Sequence, residues 1–329
     1  MSDRRVGLMV AAVPLAALFL TSIPVAGQGK PYKAPRTADG QPDLQGFWTN
    51  SSYTPLERPA NVTKEFYTPE ELEVAIKQAA ARETEQTTAG TIADVHYDFT
   101  QFGLDRSQSA FARNLRTSLI VNPENGRLPP LSPEGQKRAA ERVEQAKRVG
   151  RWDSAESNEL DDRCLMMAGA GPPMMPAGYN ANYQIVQAPG YVMILTEMIH
   201  DVRIVPLDGR PQADRKIRQW MGTSRGRWEG DTLVVETANF NGKNPLRGSS
   251  DQMHVTERFT RVAGDVIQYR FTVEDALTWV RPWTAEMPMK KAAGPLFEHA
   301  CHEGNYGLYN TLVGARLEDK KAAEAASRK

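Results

Sequence analysis

Histidines stand beside carboxylates in two short segments of this chain. The segments are EMIHDVR and CHEGNY, and their polar residues include Glu197, His200, Asp201, Arg203, His302, Glu303 and Tyr306. A neighbouring carboxylate can hold an imidazole in one tautomer and raise its pKa, and both effects serve general acid–base catalysis. Each segment alone offers too few groups for a complete site. We therefore predict that His200 and His302 face one pocket, with the other residues around them.

Two other interpretations of these segments stay open. EMIHDVR could be an ordinary hairpin with a structural Glu197–Arg203 ion pair, and CHEGNY could be a polar seam that locks the end of the chain in place. A divalent metal could bind between His200, His302 and a carboxylate. His299 and His302 alone are a weak pair of ligands, because they lack the helix and the third downstream ligand that make such spacing persuasive. We expect no organic cofactor.

A second group of charged residues lies where the strand pattern calls for apolar side chains. Alternation along HVTERFTRV places Glu257 between two apolar residues of one strand face. Alternation along TWVRPWT places Arg281 between Trp279 and Trp283. A buried charge is costly unless a partner neutralises it, so we predict an inward Glu257–Arg281 pair. The pair could hold strand register, or these residues could line a cavity where Arg203 or Arg281 binds an anionic or oxygen-rich substrate.

The segment AGAGPPMMPAGYN combines glycines with methionines. It has no lysine and no Gly-x-Gly-x-x-Gly pattern, which argues against a phosphate-binding loop. The methionines in and just before this segment are Met166, Met167, Met174 and Met175. Thioether side chains adapt to irregular surfaces. We expect them either to pack over an edge of the core or to form a soft apolar mouth for a ligand.

The first 27 residues have the pattern of an export signal. Arg4 and Arg5 precede an apolar run that ends in small residues before Gln28, as in the charged, apolar and cleavage regions of a signal peptide. An uncleaved anchor is the alternative, because the run is nearly long enough to span a bilayer. We predict cleavage, a periplasmic or secreted mature protein, and no stable membrane insertion afterwards.

Cys164 and Cys301 are the only cysteines in the chain. An oxidising compartment allows such a pair to persist as a disulfide. Two buried free thiols are the alternative. Export and the even number of cysteines favour the disulfide, which would pin the CHEGNY segment.

The charge balance bears on the class of partner. Lys plus Arg and Asp plus Glu both number 40, which gives a formal net charge of zero. The chain has no basic block, and this argues against nucleic acid as the main partner. A small-molecule ligand or substrate is the partner that we expect.

Two helices and many short strands would position these residues. Capping signals at Thr68 and Ser132 predict helices that run to about Gln86 and Val149. From about Tyr183 the chain has short β-rich runs separated by turn residues, and Gly230-Asp231 and Gly264-Asp265 suit two-residue hairpins of the II′ kind. This pattern predicts a mainly β protein, an antiparallel lipocalin-like barrel with inserted helices.

We expect four regions along the chain. They are a signal peptide (1–27), an N-terminal strand and helical insertion packing on the barrel (28–160), the main antiparallel β-barrel (161–318) and a charged tail (319–329).

Several motifs together resemble a large family of exported bacterial proteins. The motifs are DGQPDLQGFW, NYQIVQ, EMIHDVRIVPLDGRP, SRGRWEGDTLVVET, ERFTRV, RPWTAEMPM and CHEGNYG. The resemblance covers nearly all of the chain after the signal and implies export, but it implies no established activity. The chain departs from the family pattern at Gln212, Thr223 and His299. The opening Gly-x-Trp is similar to that of lipocalin-type barrels.

Three functional hypotheses follow from these residues. The first is a cofactor-free lyase, isomerase or hydrolase that uses acid–base chemistry on a small molecule at the barrel mouth. The second is a lipocalin-like binding protein for an apolar ligand, in which the polar residues only close the barrel. The third is a metal-dependent hydrolase.

Overall fold

The computed structural model describes residues 32–83, 113–150, 152–167, 169–176 and 181–328. For residues 80–83 and His200, the structure describes the backbone and not the side chains. The predicted signal peptide, 1–27, lies outside the described residues. Lys33–Lys329 forms one compact unit.

Ten strands in the described part of the chain form a single antiparallel sheet. They are β1 (Gly46–Thr49), β2 (Ile120–Asn122), β3 (Asn182–Ala188), β4 (Tyr191–Thr196), β5 (Val202–Pro206), β6 (Thr223–Glu229), β7 (Thr232–Ala238), β8 (His254–Ala263), β9 (Val266–Glu274) and β10 (Trp283–Lys291). Nine of them follow the order β5-β4-β3-β1-β10-β9-β8-β7-β6, and β2 pairs with β10 beside this path. The sheet curls into a nearly closed barrel, so the predicted mainly β fold with inserted helices is confirmed.

Two-residue turns connect β3 to β4, β6 to β7 and β8 to β9, where the turn dipeptides predict them. Glu229 pairs with Thr232, so Gly230 and Asp231 form a two-residue connection, and Gly230 adopts a φ of +59°. Glycine adopts such positive φ values without the steric cost of a side chain. Ala263 pairs with Val266, so Gly264 and Asp265 also form the predicted two-residue connection, and a bulge lies between Arg261 and Ala263 beside it.

β1 lies in the middle of the sheet although it comes first in the chain. It pairs with β3 on one side and with β10 on the other. Its Trp48 is fully buried, donates a hydrogen bond from Nε1 to the Leu44 carbonyl over 2.9 Å, and lies under the Arg261 guanidinium. This strand therefore joins the two halves of the barrel.

The barrel has one seam in the described residues where no hydrogen-bonded ladder joins the neighbouring strands. This β5–β6 seam is closed by side chains. A Cβ added at Gly226 on β6 would lie 2.7 Å from side-chain atoms of Val205 and Leu207. The two strands approach so closely because residue 226 is glycine.

Three α-helices accompany the barrel in the described part of the chain: α1 (Pro69–Glu83), α2 (Pro133–Arg148) and α3 (Tyr306–Ser327). The predicted capping signals are confirmed. Thr68 and Glu71 exchange hydrogen bonds at the start of α1, and the Ser132 side chain accepts from the Gly135 amide at the start of α2. The end of α3 includes most of the predicted charged tail. No helix among the described residues is both long enough and apolar enough to cross a membrane.

Candidate ligand site at the barrel mouth

Several residues that could take part in binding or catalysis lie at one end of the barrel. We call this end the barrel mouth: β3, β5 and β8 begin there, and β4, β7 and β9 end there. EMIHDVR connects β4 to β5 at the mouth, and the segment 169–176 leads towards β3. The opposite end carries the short hairpins at Gly190, Gly230 and Gly264.

A charged pair is enclosed in the barrel just below the mouth. Arg203 on β5 donates two hydrogen bonds to Glu257 on β8, from Nη1 to Oε1 over 3.1 Å and from Nη2 to Oε2 over 2.6 Å. The Tyr269 hydroxyl donates to Glu257 Oε1 over 2.7 Å. All three side chains are buried. Hydrogen bonds from a guanidinium and a hydroxyl offset much of the cost of burying a carboxylate.

The predicted inward position of Glu257 is confirmed, but its predicted partner is wrong. Arg281 is exposed and lies in the connection between β9 and β10 rather than on a strand. Because β10 begins only at Trp283, the assumed alternation through residues 279–283 does not apply. Trp279 and Trp283 are both buried and contact each other edge to face, with ring centroids 5.7 Å apart. They pack in the core.

Burial and neighbouring charges shift the pKa values of several enclosed polar groups. Burial raises the pKa of Tyr269 well above its ordinary value, and the nearby Glu257 carboxylate raises it further. Burial likewise raises the pKa of Tyr183, although a hydrogen bond with Asn50 opposes this shift. Burial would lower the pKa of Arg203, but Glu257 more than compensates, so the guanidinium remains charged. We call Asn50, Tyr183, Arg203, Glu257 and Tyr269 the polar cluster.

The segment 169–176 covers the polar cluster from the mouth side. The Met174 amide donates to the Tyr269 hydroxyl over 2.9 Å, and Asn50 Nδ2 donates to the Met174 carbonyl over 3.0 Å. The Met174 side chain is fully buried in the barrel core. We call 169–176 the roof segment, because its backbone closes the mouth above the cluster.

A cavity of about 290 Å³ lies on the outer side of the roof segment. Apart from roof glycines and prolines, its apolar lining consists of Met166, Met175, Trp220, Phe240, Pro245, Leu246 and Met253. A second cavity, of about 610 Å³, adjoins it and shares four lining residues with it: Met166, Trp220, Asn244 and Pro245. We call the first cavity the mouth groove. Its volume lies just below the range of about 300–1,000 Å³ that small-molecule pockets occupy.

The predicted methionines lie in two different settings. Met174 packs in the core, whereas Met166 and Met175 line the mouth groove. Trp220 was missed by sequence reasoning, because a single tryptophan in a polar connection has no periodic pattern around it. Its pairing with Met221 in RQWMG is the one local signal of an apolar surface there.

The EMIHDVR segment contains a buried structural carboxylate. Glu197 accepts from Asn182 Nδ2 over 2.6 Å and from the Phe297 amide over 3.2 Å. It therefore ties the chain beyond β10 to the barrel mouth, and it is not paired with Arg203. Asp201 is half-buried. The His200 side chain lies outside the described residues, so its convergence with His302 stays a prediction.

The CHEGNY segment is a turn that leads into α3. The predicted Cys164–Cys301 disulfide is confirmed, with the two Cα atoms 5.7 Å apart. Asn305 Nδ2 donates to the Asp162 carbonyl over 3.0 Å, and the Asn305 side chain also accepts from the Leu308 amide at the start of α3. The disulfide and this amide fasten the turn to the segment that leads to Met166. The described contacts of CHEGNY thus match a polar seam.

The remaining acid–base candidates of this turn point to solvent. His302, Glu303 and Tyr306 are all exposed, and His299 is half-buried. None of them lines the mouth groove. Among the described residues, no group of three or more His, Cys, Asp or Glu side chains could hold a metal ion.

The geometry provides an apolar groove over a buried polar cluster whose carboxylate, guanidinium and hydroxyl groups bind one another. The groove can enclose an apolar group, and methionine side chains can adjust to its shape. The cluster fixes the roof segment through backbone hydrogen bonds and is itself closed to solvent. Comparison of the chain with protein-family models and with curated proteins found no match to either.

Proposed function

We propose that this protein is an exported binding protein that holds an apolar small molecule in the mouth groove. The observation that carries the proposal is the lining of the groove, which combines three methionines with Trp220, Phe240 and Leu246. Ligand pockets are mostly apolar and aromatic, with few polar groups that set orientation. Methionine-rich surfaces suit ligands of variable shape.

The filled interior of the barrel supports a site at the mouth rather than in the lumen. Large side chains occupy the interior, including Trp48, Trp283, Tyr183, Tyr269 and Phe271, and each is almost fully buried. Met174 closes the space above them. A ligand would therefore bind on the roof segment, and the polar cluster would serve to hold that segment in place.

The positions of the described acid–base residues support binding over catalysis. Glu197 is engaged by Asn182 and Phe297, and the Arg203 guanidinium is engaged by Glu257. His302 and Glu303 are exposed away from the groove lining. General acid–base catalysis needs its groups within hydrogen-bonding reach of one substrate, and these groups offer no such common point.

A neutral solvent-sensitive dye tests the proposal. We expect Nile red to bind the mature protein with an increase in fluorescence. Binding should weaken about tenfold in Trp220→Ala and measurably in Met175→Ala, because each change removes apolar contact area. The control is Tyr309→Ala on α3, which removes an aromatic side chain that is 67% exposed and lies outside the groove. Equal losses in all three variants, or no binding by the wild type, would refute the proposal.

Export is the second part of the proposal. The Cys164–Cys301 disulfide supports it, because disulfides persist in oxidising compartments and are rare in the cytosol. N-terminal sequencing of the protein recovered from the periplasm or medium tests it. We expect the mature chain to begin near Gln28. Recovery of the uncleaved chain from the cytosolic fraction alone would contradict export.

A further inference from the structure

We propose that the ligand of the mouth groove is an amphipathic carboxylate whose head group binds Arg247. This inference rests on the proposed function and adds the chemical class of the ligand. Its apolar part would lie against Trp220 and the groove methionines, and its carboxylate would lie at the rim formed by the turn Leu246–Gly248.

Arg247 is the one charged residue among the described residues that line the groove. It is exposed, and its guanidinium makes no hydrogen bond or ion pair in the described part of the chain. Arg203, Arg210, Arg227 and Arg258 differ, because each is paired with a carboxylate. An unpaired guanidinium beside an apolar cavity is complementary to an amphipathic anion.

The backbone of this turn presents Arg247 in an unusual conformation. Arg247 has φ 48° and ψ 30°, in the left-handed region that residues other than glycine rarely adopt. The next residue, Gly248, also has a positive φ, and a Cβ there would lie 2.5 Å from Arg142 Nη2. Arg142 thus packs against the turn from α2. Two successive left-handed residues indicate that the turn is held in place by its surroundings.

The charges of the adjoining cavity limit which chemical class of head group can bind. Glu156, Glu159 and Asp161 line that cavity together with Arg163 and Lys243. Arg163 is electrostatically coupled to Glu156. The three carboxylates and two cations leave a net charge of about −1 in this cavity, which repels a phosphate, with nearly two negative charges at neutral pH, more strongly than a group with one.

A head group with one negative charge fits the single unpaired guanidinium of the groove. The planar fork of arginine matches the two oxygens of a carboxylate. We therefore assign the head group as a carboxylate.

Displacement of Nile red by ligands with the same alkyl chain tests the assignment. The ligands are dodecanoate, dodecanol, dodecyltrimethylammonium and dodecyl phosphate, each below its micellar concentration. We expect dodecanoate to bind about tenfold more tightly than dodecanol, as one charge-assisted contact would provide. Arg247→Gln should remove this difference and leave dodecanol binding unchanged.

The control variant is Arg215→Gln, which removes the same charge from an exposed arginine that lines neither cavity. It should keep the preference for dodecanoate. Equal binding of dodecanoate and dodecanol by the wild type would overturn the carboxylate assignment while leaving the binding function intact. Tighter binding of dodecyl phosphate or of the cation than of dodecanoate would also overturn it. Failure of every ligand and of the dye would refute the proposed function itself.

Discussion

Arg203 Nη2 lies 2.6 Å from Glu257 Oε2, and this contact joins β5 to β8 across the β5–β6 seam. The two side chains are 3% and 0% exposed. Since hydrogen bonds do not join β5 to β6, an ion pair inside the barrel and apolar contacts at Gly226 take their place. The pair therefore closes the barrel from within.

Glu257→Ala should lower the free energy of unfolding by about 3–5 kcal/mol, because it leaves the Arg203 guanidinium buried without a partner. Urea denaturation measures this loss. Arg281→Ala serves as the control and should change stability by less than about 0.5 kcal/mol, since Arg281 is exposed. Equal stabilities of the two variants would contradict the closure of the seam by Arg203 and Glu257.

Stability should fall as the pH rises above about 10, the ordinary pKa of tyrosine. Burial raises the pKa of Tyr183 and Tyr269 in the folded protein, so the unfolded chain releases protons that the folded chain retains. The unfolded state is then favoured as the pH rises. Urea denaturation at a series of alkaline pH values gives the slope. Tyr269→Phe should reduce the slope, and Phe271→Leu, a buried change without a titrating group, should not. A steep slope that Tyr269→Phe leaves unaltered would count against this account.

The double variant Cys164→Ser/Cys301→Ser should lose about 4–5 kcal/mol of stability, because the disulfide closes a loop with a sequence separation of 137 residues. Met166 lies two residues from Cys164, so Nile red binding should weaken as well. A reducing agent should lower the stability and the Nile red affinity of the wild type similarly, and it should leave the double variant unaffected. Unchanged dye binding in the folded double variant would show that the disulfide does not position the groove.

Gly226→Ala should destabilise the protein by about 1–3 kcal/mol, because the added methyl group meets Val205 and Leu207 across the seam. Gly314→Ala on α3 is the matched control. No atom lies within 4 Å of its Cβ position, so it should stabilise the protein by up to about 1 kcal/mol through helix propensity. Thermal melts compare the two variants. The same sign for both changes would mean that β5 and β6 are less closely packed than described.

Local chemistry explains why much of the fold could be predicted. Thr68 and Ser132 cap helices through atoms three residues away, and the Gly230-Asp231 turn joins adjacent strands. Such features depend on neighbours in the sequence. The two-residue Gly264-Asp265 connection is local in the same sense, whereas the bulge between Arg261 and Ala263 beside it was not predicted.

The partner of Glu257 could not be predicted by the same reasoning. The alternation of strand side chains correctly predicts that Glu257 is buried. Whether its partner is Arg203 or Arg281 depends on which distant strands face each other across the barrel. Arg281 lies in the connection that precedes β10, where the alternation of strand side chains does not apply. The mouth groove depends on contacts of this non-local kind, since Trp220 and Met166 come from unrelated connections.

The place of β1 in the sheet has a consequence for the order of assembly. The strands β3–β5 and β6–β10 can each form from successive hairpins, but β1 must pair with both sets, and its Trp48 lies opposite Lys291. Contacts between residues so distant in sequence form slowly, because the loop they close is long. We expect the barrel to remain open until β10 has been synthesised. Until then one edge of β1 has no partner strand.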